Sequence, residues 1–300
     1  MAYTPGVGGQ IRKLANVASM RSHGVEFTLS TKNIQGKDFS WNTDFIFSYA
    51  KNKVTELESN AKVIDVVTGY GFALKDYPVR SLFSYDFRGL TDEGLPIILE
   101  EDGEETTKGG DINFQSQELG NLVYEGPADP TITGSFGNIL RYKGFTLNVF
   151  ITYSFGNVIR LDPVFKSRYS DLTAMPKEFK NRWVEPGDEL ITHVPAILTA
   201  RQVNADYQLA TLYNAYNYST QRIAKGDFIR LKEVSLGYQF PKTWVERIRL
   251  SDLSLKLQAT NLFLIYADKK LNGQDPEFFR TGGVAAPVPK QFTLTLKLGI

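Results

Sequence analysis

The chain has 300 residues, of which 42% are hydrophobic and 13% aromatic, and its 34 Lys and Arg nearly balance 33 Asp and Glu. A formal net charge of +1 argues against a polybasic nucleic-acid-binding protein. The absence of cysteine excludes a disulfide framework, a thiolate metal site and a cysteine nucleophile, and two histidines cannot form a histidine-rich metal cluster.

Alternation of apolar and polar residues with a period of two is the dominant pattern, and it predicts long β-strands. In the first such segment Val25, Phe27 and Leu29 share one face, and a polar turn containing Gly36 leads into a second segment of the same kind. We predict about nine strands, at 23–33, 38–57, 79–90, 95–101, 132–143, 144–155, 227–240, 251–265 and 290–300.

The connections between these strands differ strongly in length. Tight turns are predicted near 34–37, 91–94 and 143–144, with a longer link at 241–250. Long polar connections are predicted near 58–76, 101–131, 156–225 and 267–289. Short turns on one rim and long loops on the other are typical of an outer-membrane barrel, with the long loops outside the cell.

The sequence therefore favours an all-β fold, namely a portion of an antiparallel transmembrane β-barrel with its apolar face toward lipid. A complete single-chain bacterial barrel has an even number of strands, so we expect that an odd number does not close by itself. The alternative is a soluble or surface-attached β-sandwich that binds carbohydrate or acts as an adhesin. A sandwich would pack the same apolar face against a second sheet.

Several sequence blocks carry a more specific signal. The most distinctive block is Gly226-Asp-Phe-Ile-Arg-Leu-Lys-Glu-Val-Ser-Leu-Gly-Tyr-Gln-Phe-Pro241, followed by Ala259-Thr-Asn-Leu-Phe263 and Gly273-Gln-Asp-Pro-Glu277. Two earlier blocks cover 16–41 and 142–157. In content and order, these blocks resemble the SusC/RagA family of TonB-linked outer-membrane proteins.

The resemblance implies a 22-stranded barrel with an N-terminal plug and a segment that engages TonB. Residues 1–300 would be the C-terminal part of that barrel, with the plug, the TonB-contacting segment and the signal peptide absent. The implied function is active import of a large nutrient, an oligosaccharide or a peptide, across the outer membrane of a Gram-negative, Bacteroidetes-like cell. The implied partners are a SusD-like surface lipoprotein that caps the barrel, the TonB complex and outer-membrane lipid. Neither an enzyme activity nor a cofactor is expected.

The longest predicted loop is rich in aromatic residues. Trp183, Tyr213, Tyr216 and Tyr218 are the candidates for contact with the substrate or the partner, since aromatic rings on external loops can stack on sugars or pack against a lid. Tyr207 lies in the same loop. The favoured interpretation is that these rings form a local loop core or an aromatic girdle at the lipid interface.

Two charged features have structural interpretations as well. The acidic stretch Glu100–Glu105 offers enough oxygens for Ca²⁺ but lacks the alternating ligand spacing of an EF-hand, so we interpret it as a solvated loop and predict no metal site. Arg230 and Lys232 share parity with Val234 and Leu236. Strict alternation therefore predicts that both face lipid at the outer rim, unless a bulge turns them into the lumen.

Overall fold

A computed structural model describes residues 2–3, 12–13, 18–58, 60–100, 102–165, 175–279 and 289–300. Seven long antiparallel strands form one sheet, and each strand pairs with its neighbours in chain order. These strands are β1 (Ala18–Gln35), β2 (Phe39–Leu57), β3 (Ile132–Tyr142), β4 (Phe145–Phe155), β5 (Phe228–Gln239), β6 (Asp252–Ala267) and β7 (Gln291–Gly299). No helix among the described residues is long and apolar enough to span a membrane.

The strand registers align the apolar residues into one continuous face. In one row, Leu147 lies opposite Leu140 and Leu236. The same row continues through Leu257, which lies opposite Leu236 and Leu294. Because successive strand residues point to opposite sides, the Thr, Ser and Asn residues between them form a polar face.

The apolar face is uncovered. Leu257 is 52% exposed and Leu294 is 68% exposed, and many of their apolar neighbours are exposed too. Within the described residues no second sheet packs on this face, so the structure contradicts the β-sandwich alternative. A contiguous exposed apolar surface of this size is atypical of a soluble monomer.

Short connections lie at one end of the sheet and long connections at the other, as the sequence predicts. One end of the sheet, the turn end, carries the short connections 36–38, 143–144 and 240–251. The other end carries the three long connections 58–131, 156–227 and 268–290, and we call their described residues the long loops. Gly144 has a φ of +90°, which glycine adopts without strain, so the Lys143-Gly144 turn can join β3 and β4 directly.

Two of the predicted strands lie outside the sheet. Segments 79–90 and 95–101 contain the short strands Ser81–Ser84, Phe87–Leu90 and Pro96–Leu99, all within the first long loop. Each is 4 residues long, whereas a strand that crosses a bilayer needs about 9–11 residues. The sheet therefore has seven strands rather than the nine that alternation predicts, and the turn at 91–94 belongs to a loop.

The long loops fold together. Their other short strands are Glu105–Thr106, Val123–Pro127, Val158–Arg160 and Ile223–Lys225. Their helices are Val63–Val67, Ala200–Ala205 and Gln208–Asn217, with 3₁₀ turns at Gly109–Asp111, Lys177–Asn181, Asp188–Leu190, Thr220–Arg222 and Lys269–Leu271. Leu212 and Tyr216 of the last of these helices pack against Phe87, Ile98 and Val164, so the first two long loops share one hydrophobic core.

Four short elements remain. The link between β5 and β6 contains a helix, Lys242–Val245, and a 3₁₀ turn, Glu246–Ile248. At the start of the chain, the short strands Ala2–Tyr3 and Arg12–Lys13 pair with each other.

Candidate functional site

The polar face of the sheet is the candidate functional surface, because the long loops cover its outer end. Ser135 and Ser154 of this face are buried although they lie on the strands of an otherwise open sheet. A cavity of about 480 Å³ lies between the sheet and the long loops. Its lining includes Thr133, Thr152, Ser154, Asn157, Phe228 and Glu277. The site therefore combines hydroxyl, amide, carboxylate and aromatic groups in one concave surface.

A β-bulge in β5 places Arg230 on this polar face. Val234 lies opposite Val149 of β4, but Ile151 lies opposite Leu231, so Lys232 is an extra residue in the strand. One extra residue in a strand moves the side chains beyond it to the opposite face of the sheet from the one that strict alternation predicts. The prediction that Arg230 faces lipid was therefore wrong.

Arg230 is 3% exposed and is the centre of an ionic cluster in which Asp275 is buried as well. Its Nη2 donates to Asp275 Oδ2 at 2.6 Å, and its Nε lies 3.0 Å from Glu277 Oε2. The rings of Phe228 and Phe278 lie 5.6 Å and 6.0 Å from the guanidinium carbon. The two carboxylates compensate the buried charge, and the aromatic rings exclude water from it.

This cluster attaches residues 268–279, which we call the strap, to β5 through Asp275 and Glu277. At the start of the strap, Asp268 Oδ2 accepts a hydrogen bond from the Lys225 amide at 2.8 Å. Leu271 is fully buried beside Ile159 and Leu161. Glu277 lines the 480 Å³ cavity, so the strap forms part of its wall. Lys232, also in the lining, lies 4.0 Å from Glu277, which turns it toward the polar side too and corrects its predicted lipid-facing position.

Two further buried arginines stabilise the long loops, and Arg160 joins the second loop to the first. Arg160 donates from Nη2 to the Phe83 carbonyl at 2.6 Å and from Nη1 to the Ser219 carbonyl at 2.9 Å. Arg222 forms an ion pair with Glu178. Because these contacts connect segments that are distant in sequence, the long loops form a single folded unit.

The structure places the four aromatic candidates mainly inside this unit. Tyr213 and Tyr216 are 2% and 1% exposed, and burial raises the pKa of Tyr216 to about 12. Trp183 is half-buried and donates from Nε1 to Glu189 at 3.1 Å. The half-buried Tyr218 ring lies 6.0 Å from the Arg160 guanidinium. The two buried rings belong to loop cores, and contact of the four residues with substrate or partner stays a prediction.

The charged residues of the acidic stretch do not assemble into a site within the described residues. Glu101 lies outside the described residues. In the part of the chain that the structure describes, no group of three or more His, Asp or Glu residues is arranged to hold a metal ion. The Arg230 cluster has no local signal in the sequence, because Arg230 and Asp275 are 45 residues apart and the bulge leaves no mark in the alternation.

Glu125, in the first long loop, gives a pH-dependent prediction. Burial raises the pKa of Glu125 above its ordinary value of 4.5, while a hydrogen bond with Ser84 and the charge of Arg160 oppose the shift. Because the pKa is higher in the folded state than in the unfolded state, the protonated Glu125 carboxyl favours folding. Its contribution to the free energy of unfolding is fully present below pH 4.5 and is lost as the pH rises through the raised pKa. Glu125→Gln should therefore raise the unfolding midpoint at pH 8 and leave it nearly unchanged at pH 3.5.

Denaturant unfolding across that pH range measures this effect. Glu93→Gln is the matched control, because Glu93 is exposed in the turn at 91–94 and its substitution should not change the pH dependence. A lower midpoint for Glu125→Gln at pH 8 would show that the charged carboxylate stabilises the loop unit.

Comparison with known proteins shows similarity to one group of receptors. The chain is 27% identical to TonB-dependent receptor P39 of Formosa agariphila, in an alignment that covers 91% of this chain. It is 24% identical to TonB-dependent receptor SusC of Bacteroides thetaiotaomicron, in an alignment that covers 95% of this chain. It spans 29% and 27% of the lengths of these two relatives. No protein-family model matches the chain.

Solved structures show the same fold. The chain superposes on the RagAB peptide transporter with a TM-score of 0.69 and 22% identity, covering 99% of this chain and 31% of the other. It superposes on the closed-closed state of the RagAB peptide importer with a TM-score of 0.71 and 21% identity, with the same coverage.

The fold and its two faces thus define a portion of an antiparallel β-barrel of the outer-membrane type. The relatives are named as receptors and the matched structures as transporters, which are not enzymes. The chain is thus similar in sequence to TonB-dependent receptors, SusC among them, and similar in fold to RagAB, in agreement with the resemblance of the sequence blocks.

Proposed function

We propose that residues 1–300 are the C-terminal part of the barrel of an outer-membrane active transporter that takes up a large nutrient with energy supplied through TonB. One observation carries the proposal, namely the exposed apolar face that continues across all seven strands opposite a polar face. Such a sheet has its apolar side in contact with lipid and its polar side toward an aqueous lumen. The plug and the TonB-contacting segment belong to other parts of the complete receptor.

The proposed location is the outer membrane of a Gram-negative, Bacteroidetes-like cell, with the long loops at the cell surface. A SusD-like lipoprotein would cap these loops, and the nutrient would be an oligosaccharide or a peptide. The support is the mixture of hydroxyl, amide and aromatic groups in the 480 Å³ cavity, which suits either polymer. Trp183 and Tyr218 are only partly buried and are the better placed of the four aromatic candidates to contact it.

Uptake by the source bacterium tests the proposal. We expect deletion of the gene to abolish uptake of either a labelled oligosaccharide pool or a labelled oligopeptide pool, and the complete gene to restore it. An uncoupler of the proton-motive force should abolish the restored uptake, because TonB-dependent import needs energy from the inner membrane. Unchanged uptake of both pools in the deletion strain, or uptake that resists the uncoupler, would refute active import by this protein.

A further inference from the structure

The turn end of the apolar face carries a row of aromatic residues. Tyr142 lies opposite Phe145, which lies opposite Tyr238. The Phe145 and Tyr238 ring centroids are 4.4 Å apart, and those of Tyr238 and Phe240 are 4.9 Å apart. On β3, β4 and β5, the next row toward the long loops is the leucine row described above. A change from aromatic to aliphatic side chains is what a strand shows where it passes from the membrane interface into hydrocarbon.

The connections next to this aromatic row are basic. They contain five cationic residues and two acidic ones. The cationic residues are Lys37, Lys143, Lys242, Arg247 and Arg249, and the acidic ones are Asp38 and Glu246. Among the described residues, no ion pair within 4.0 Å includes any of the five cations. Their charge is therefore available to an external anion.

The longest connection at this end also exposes apolar side chains. Trp244 and Ile248 are each 59% exposed, although Val245 between them is fully buried and anchors the link. Trp244 and Ile248 are four residues apart in continuous helical structure, which puts them on the same side. An exposed tryptophan beside lysine and arginine is the side-chain combination that favours a membrane interface.

We propose that the turn end is a binding surface for anionic phospholipid. Lys242, Arg247 and Arg249 contact the lipid phosphates, and Trp244 and Ile248 enter the interface beside the aromatic row. Two observations select lipid as the occupant. The cations complement an anionic headgroup, and the surface is continuous with the apolar face of the sheet. The inference rests on the proposed position of the barrel in a membrane.

Native mass spectrometry of the complete receptor in neutral detergent tests this surface, with phosphatidylglycerol and phosphatidylcholine as the two probes. We expect preferential binding of phosphatidylglycerol. The triple variant Lys242→Ala, Arg247→Ala, Arg249→Ala should lose about tenfold or more of that affinity, because each basic residue near an anionic lipid surface adds to binding. The charge-preserving variant Lys242→Arg, Arg247→Lys, Arg249→Lys should retain it.

The matched control is Lys177→Ala, Lys180→Ala, Arg201→Ala, which removes the same charge from exposed positions on the long loops and should leave lipid binding unchanged. Equal binding of both lipids, or unchanged affinity in the first triple variant, would overturn the proposal. So would a periplasmic protein that binds the turn end in place of lipid. Absence of the receptor from the outer-membrane fraction would instead refute the proposed location, so the two failures are distinguishable.

Discussion

Arg230→Ala should release the strap and destabilise the barrel by about 3–5 kcal/mol, the cost expected when one partner of a buried ion pair is removed. The reason is the environment of the guanidinium, which is 3% exposed and held by Asp275 and Glu277. Without it, two carboxylates remain next to Phe228 and Phe278 with no buried cation in the cluster. The free energy of unfolding and hydrogen exchange of residues 268–279 are the measurements.

A surface ion pair provides the control for this effect. Lys53 and Asp76 are 2.8 Å apart but more than half exposed, so Lys53→Ala should cost only about 0–1 kcal/mol. Adding Asp275→Asn to Arg230→Ala should cost less than the sum of the two single changes, because the two residues interact directly. Normal protection of the strap in Arg230→Ala would show that the ionic cluster does not hold it.

Val149→Arg should destabilise the membrane-inserted barrel by about 2–4 kcal/mol, the cost of a lipid-facing arginine near the bilayer midplane. Val149 lies at the middle of β4 on the apolar face, opposite Val234. Its chain neighbour Asn148 faces the polar side, where it donates to Glu233 Oε1 at 3.2 Å. Asn148→Arg should therefore cost little, since an arginine there meets a carboxylate in an aqueous lumen.

Reversible unfolding of the complete receptor in lipid vesicles measures both variants. The two positions are adjacent, so they share the same strand and nearly the same depth. The comparison therefore isolates the direction in which the side chain points. Equal destabilisation by the two arginines would contradict the assignment of faces.

Much of the fold follows from alternation in the sequence. The positions of β2 and β4 and the tight turn at Lys143-Gly144 are predictable because each strand is long, amphipathic and regular over 11 residues or more. Segment 79–90 has a similar local composition, but it forms short strands in the first long loop and not a strand of the sheet. All four residues of Ser81–Ser84 are buried, because other parts of the long loops cover both sides of this short strand. Local alternation does not contain that information.

The candidate site is less predictable than the fold. The aromatic residues of the long loops stand out in the sequence, but their composition does not distinguish a ring that binds a ligand from one that fills a core, such as Tyr216. Arg230 shows the opposite problem. Its position depends on one inserted residue, Lys232, and the opposing strand accommodates the bulge with Asn261 at a φ of +53°. Asparagine tolerates this left-handed conformation better than most residues, yet an isolated Asn is too common to reveal it in advance.

The shared cores and buried arginines of the long loops also limit how a receptor of this kind can change its cargo. If the first long loop alone came from a relative, its backbone at Phe83 would have to stay in place to accept the Arg160 hydrogen bond. Its side chains at Phe87 and Ile98 would also have to fit Leu212 of the second loop. A graft that failed either requirement would leave a buried cation or a hydrophobic core mismatched. The unit of exchange, in evolution and in protein engineering, is therefore the whole set of long loops, transferred together onto the same seven strands.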